Sequence, residues 1–105
     1  MTEKYVKNER VAVLVSHGYG AGWSTWNPEV AEEMLFSQKI VKLILAGMDK
    51  DDIYDKAREL WPNAYLGGIC ELGIEWIEEG AKFRIEEHDG AESVLIFNDD
   101  NFYTA

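Results

Sequence analysis

The sequence predicts an α+β fold: a central strand followed by two or three helices and a C-terminal antiparallel β-meander. Three observations carry this. Val11-Ala12-Val13-Leu14-Val15 is a continuous, largely β-branched apolar run, as expected of a strand buried on both faces. The middle of the chain places apolar residues at helical spacing, and after Pro62 the period falls to two.

Taken in order, the first strand ends in the loop Ser16-His17-Gly18-Tyr19-Gly20-Ala21-Gly22-Trp23-Ser24-Thr25-Trp26-Asn27. Asn27, Pro28 and Glu29 read as an N-cap, a first-turn proline and a first-turn acid. The helix they open buries Val30, Met34 and Leu35. Its pattern breaks near Ser37-Gln38, before Ile40-Val41-Lys42-Leu43-Ile44-Leu45, and Gly47 is a stop signal. Asp49 caps a further helix carrying Ile53, Ala57, Leu60 and Trp61 on one face, and Pro62 closes it. Beyond it Leu72, Ile74 and Trp76 alternate with Gly73, Glu75 and Ile77, and Phe83 and Ile85 with Lys82, Arg84 and Glu86. Glu79-Gly80 and Asp89-Gly90 supply reversals. Val94-Leu95-Ile96-Phe97 is the last strand, and Asn98-Asp99-Asp100-Asn101 ends it. The helices are expected on one face of the sheet.

A chain of 105 residues is one domain, too short for a TIM barrel, a full dinucleotide-binding fold or an α/β-hydrolase. At this size an oligomer would add buried surface. The 20 acidic residues outnumber the 10 basic ones, for a net charge of −10. Such a field repels nucleic-acid backbones and anionic membranes, so neither is expected as a direct partner. The excess is uneven. Residues 1–53 carry net −2 and residues 54–105 net −8, so the acidic C-terminal half would steer a basic partner. Glu75, Glu78, Glu79, Glu86, Glu87 and Glu92 read as its solvated face. Cys70 is the single cysteine; it fits a reducing, cytoplasmic setting and reads as a small buried residue. No signal peptide is apparent, and the longest apolar run is too short to span a bilayer.

The loop after the first strand is where chemistry concentrates. Gly18, Gly20 and Gly22 allow close approach of a ligand to the backbone, and successive N–H groups ahead of a helix form an anion nest. Ser24 and Thr25 add hydroxyls; Tyr19, Trp23 and Trp26 add flat faces. The spacing G-x-G-x-G matches neither the dinucleotide fingerprint nor the P-loop, and Ser24 lacks the second glycine of a nucleophile elbow. The alternative is a packed turn, with the glycines reversing the chain and the Trp rings filling the core. His17 and His88 show no metal-ligand spacing, so no metal or cofactor is expected. No activated nucleophile is readable either, and an enzyme is the least favoured reading.

Residues 11–27, VAVLVSHGYGAGWSTWN, resemble a signature of small, mostly uncharacterised bacteriophage and prophage proteins. The resemblance implies a cytoplasmic phage-type inhibitor of host defences, acting by sequestering a nucleotide signal or by blocking an effector protein. From the residues, the first expectation is a non-catalytic pocket for a small nucleotide-like ligand. It would be built by Tyr19, Trp23 and Trp26 stacking, Gly20 and Gly22 presenting N–H groups, Ser24 and Thr25 contacting phosphate or ribose, with His17 and Arg84 contributing. The second is an acidic inhibitor that meets a basic surface on a host nucleic-acid-binding or defence protein.

Overall fold

A computed structural model describes residues 3–18, 20–97 and 103–105, with Phe97 described through its backbone alone. The apolar run of the first long strand, β2 (Arg10–Ser16), is fully buried from Val11 to Val15. The cause is cover on both faces. Ala12 and Leu14 face one core with Met34, Ile40, Ile53 and Trp61. Val11, Val13 and Val15 face a second core with Leu35, Phe36, Ile77 and Phe83. A strand sandwiched in this way cannot show a polar alternation.

Two short sheets make the β structure. In one, β2 lies between β1 (Val6–Lys7) and β3 (Leu72–Glu78), all antiparallel. In the other, β4 (Lys82–His88) lies between β5 (Ala91–Phe97) and β6 (Tyr103–Thr104). The α+β class and the C-terminal antiparallel meander are therefore present, in the order β5-β4-β6. Leu72, Ile74 and Trp76 form a strand as the alternation predicts, but β3 pairs with β2 from Arg10↔Glu78 to Ser16↔Leu72. The reversal at Glu79-Gly80 thus carries the chain from one sheet to the other. Buried β2 needs a partner on each edge for its backbone groups, and β3 supplies the second. At Asp89-Gly90 both residues have positive φ, 51° and 90°, the two-residue hairpin turn that joins β4 to β5. The segment Asn98-Asp99-Asp100-Asn101 lies outside the described residues.

Three helices connect the halves: α1 (Ala31–Phe36), α2 (Gln38–Leu45) and α3 (Lys50–Leu60). The break between α1 and α2 falls at Ser37, whose hydroxyl accepts the Ile40 amide at 3.4 Å as an N-cap. Gly47, at φ 75°, ends the second. Helices α2 and α3 cover the Ala12/Leu14 face as expected. Helix α1 does more, because Leu35 and Phe36 turn into the second core, where Phe36 meets Phe83 and Tyr103 edge-on. Pro28 opens a 3₁₀ turn, Pro28–Val30, ahead of α1. Asn27 does not cap it through its side chain, because that amide is used elsewhere. No described helix is long and apolar enough to cross a membrane.

Candidate functional site

The loop after β2 is organised around one buried carboxylate. Glu92 on β5 is 3% exposed. Its Oε1 accepts the Ser16 amide at 2.8 Å, and its Oε2 accepts the Trp23 amide at 2.8 Å, the Thr25 amide at 3.0 Å and the Thr25 hydroxyl at 2.6 Å. A loop bringing converging N–H groups to one point is an anion nest. Here the anion is internal. The hairpin tip reinforces the join: the Gly20 amide donates to Asp89 O, and a Cβ on Gly90 would collide with the Ala21 backbone. Glu92 was expected on the solvated face and is instead the centre of the loop. Its register held the clue, since it shares strand parity with Val94, which packs inward.

The structure distributes the expected site residues over several environments. Gly22 is buried, and a Cβ there would lie 2.6 Å from Thr25 Oγ1. Trp23 is 0% exposed; its Nε1 donates to Met34 O at 2.9 Å and its ring meets Trp61 edge-on at 5.8 Å. Trp23 thus follows the packed-turn alternative. Ser24 is buried, and the Thr25 hydroxyl is committed to Glu92. His17 is exposed, its Nε2 3.5 Å from Glu75 Oε2. Tyr19 lies outside the described residues. Ser24, Thr25 and Arg84 do come together, lining a pocket of about 560 Å³ with Pro28, Ile85 and Tyr103. The Tyr103 phenol is held above its ordinary pKa by burial first, then by the negative charges of Glu32 and Glu92.

Trp26 belongs to a different surface. It is 38% exposed and stacks at a tilt on Tyr65, itself 52% exposed, with ring centroids 5.2 Å apart. Asn27 fastens this pair: its Nδ2 donates to Trp23 O and Tyr65 O, and its Oδ1 accepts the Tyr65 amide, each at 2.8 Å. The Trp26 Nε1 donates to Glu87 Oε2 at 3.2 Å, and the Gly90 amide donates to the same oxygen at 2.7 Å. These bonds, the Gly90 one foremost, hold the Glu87 carboxyl below its ordinary pKa, and His88 adds to the effect. Beside Trp26 opens a cleft of about 410 Å³ between the Pro28 turn and the end of α3.

Sequence reasoning overlooked Tyr65 as the partner of Trp26 and Asn27 as the residue that fastens Tyr65, and the 38-residue separation of Asn27 and Tyr65 gives no local signal. Cys70 was expected to be buried and is exposed, because its 3₁₀ turn, Gly67–Glu71, directs Gly68 and Ile69 inward instead. Among the described residues, no three His, Cys, Asp or Glu side chains gather as a metal site. Comparisons with family models, curated proteins and solved structures find no match to this chain.

Proposed function

We propose that this chain is a non-catalytic binding protein whose acidic, aromatic surface engages a basic protein partner. The observation that carries the reading is the coordination of Glu92. Three amides and one hydroxyl that a bound anion would need are already spent on an internal carboxylate. The loop therefore serves as a rigid mount, presenting Trp26 beside Tyr65 and the exposed Glu29 and Glu87. With a net charge of −10, this surface attracts a cationic partner and speeds its arrival. The resemblance to phage proteins supports the same direction, since an effector that handles nucleic acid carries a basic face.

A nucleotide-like ligand, sequestered as a host defence signal, is the second reading. One observation favours it: Arg84, whose guanidinium lies 3.7 Å from the Glu86 carboxylate, lines the same pocket as Ser24, Thr25 and Tyr103, which puts a cation and a phenol beside one space. The test is thermal unfolding against poly-L-lysine at low and high salt, alongside a panel of mononucleotides and cyclic nucleotides. Stabilisation by poly-L-lysine that fades with salt is expected. A flat response to poly-L-lysine overturns the first reading, and a nucleotide that raises Tm by about ten degrees establishes the second.

A further inference from the structure

The cleft beside Trp26 differs in chemistry from the pocket that contains Arg84. Its walls include two tryptophans, Trp26 and Trp61, and two prolines, Pro28 and Pro62; its charged lining groups are Glu29 and Glu33. Flat apolar walls accept the face of a planar group, and the two carboxylates outnumber the one cation at the wall, Arg58, whose guanidinium donates to the Pro62 and Ala64 carbonyls, so a positive group is favoured. Trp26 is also set in place beforehand. Tyr65 covers part of its ring, Glu87 holds its indole N–H, and Asn27 ties the adjoining backbone to residue 65. Little side-chain freedom is left to lose on binding. Glu33 accepts the Trp61 Nε1 at 3.3 Å, yet a carboxylate has about four acceptor positions and can take further donors.

We infer that this cleft is the pocket for an arginine side chain of the partner, with the guanidinium against the Trp26 ring and donating to Glu29 and Glu33. The inference rests on the basic-partner reading and narrows it from a charged surface to one side chain. Arginine fits better than lysine on three counts: its guanidinium is planar, it stacks on aromatic faces, and its forked donors match carboxylates. Lysine offers a compact and strongly hydrated charge. A second copy of this chain is a poor occupant, because each copy carries a net charge of −10 and the two would repel.

The experiment is calorimetric titration with hexa-arginine, hexa-lysine and hexa-citrulline peptides, with the Trp26 indole N–H followed by NMR. Hexa-arginine should bind about tenfold tighter than hexa-lysine, hexa-citrulline should not bind, and the Trp26 signal should shift. Trp26→Ala should weaken hexa-arginine binding about tenfold, and Glu29→Gln about threefold, with NMR spectra that remain folded. If hexa-arginine binds but is indifferent to both substitutions, or binds no better than hexa-lysine, the pocket is overturned while the basic-partner reading survives. If neither cationic peptide binds, both fall.

Discussion

The Glu92 carboxylate accepts the Thr25 hydroxyl at 2.6 Å across 67 residues of chain, and this contact joins the β5 strand to the loop that follows β2. The same group takes three backbone amides, so it replaces the water that a loop at the rim of two cores would otherwise need. Glu92→Gln should be costly despite its similar shape. An amide substitutes a donor for one acceptor oxygen and must face either the Ser16 amide or the donors from Trp23 and Thr25. A loss of about 2–4 kcal/mol is expected, a fall in Tm on the order of ten degrees or more. Chemical denaturation measures it; a change below about 1 kcal/mol would show that the network contributes little.

Trp23 and Trp26 lie three residues apart and invite the same substitution with opposite expectations. Trp23→Phe removes the bond to Met34 O and opens space beside Trp61, at a cost of about 2–3 kcal/mol. Trp26→Phe keeps a ring on Tyr65 and loses an exposed bond to Glu87, at a cost under about 1 kcal/mol. Denaturation midpoints of the two variants test the contrast. Equal losses would remove the distinction between a core tryptophan and a presented one.

Much of the architecture was legible because it follows from local pattern. The run at residues 11–15 announced a strand covered on both faces, and the spacing of Ile53, Ala57, Leu60 and Trp61 announced α3. Strand β1 was not legible: it is two residues long, and its turn places Asn8 and Glu9 at positive φ without a glycine. Pairing was less legible still. Period two locates β3 but cannot say that β2, some 60 residues earlier, is its neighbour. The site suffered from the same limit. Two tryptophans three residues apart look alike in sequence, and distant partners separate them: Glu92 and Met34 hold Trp23 in the core, while Tyr65 and Glu87 hold Trp26 at the surface.

Gly90 has no sequence-local substitute. Its φ of 90° is already unfavourable for an L side chain, and a Cβ there would collide with the Ala21 backbone. Gly90→Ala should therefore strain the turn and push the hairpin off the loop together, costing about 2–3 kcal/mol. Amide exchange gives the sharper measurement. The Gly20, Trp23 and Thr25 amides should lose protection together, since all three bond to the β4–β5 hairpin. Loss confined to residues 88–91 would mean that the hairpin and loop open independently.

At high pH the relevant group is Tyr103, whose phenol titrates above 10.0 because of burial and the charges of Glu32 and Glu92. A raised folded pKa favours the protonated native state, so this contribution is intact below the unfolded value and is lost as pH rises through the folded one. Alkaline unfolding should begin above about pH 10, and Tyr103→Phe should move its onset upward. Tyrosinate absorbance provides the check: the variant should lose a phenol that titrates above 10.0. An unchanged titration curve would place that phenol elsewhere.

At low pH the group to follow is Glu87. Its carboxyl is held below the ordinary value of 4.5, chiefly by the Gly90 amide and then by the Trp26 indole N–H. A depressed folded pKa means that the two bonds stabilise the native state above the unfolded value and are lost as pH falls through the folded one. Because Glu87 is exposed, global stability should change little and the readout must be local. The Trp26 indole N–H resonance should show a transition with a midpoint below pH 4.5 while far-UV circular dichroism stays native, and Glu87→Gln should abolish it. Following that one resonance keeps the readout apart from Trp61, whose indole N–H donates to Glu33 instead. If the transition persists in Glu87→Gln, another carboxylate governs the indole, and the bond that fixes the ring at the mouth of the cleft is not the one between Trp26 and Glu87.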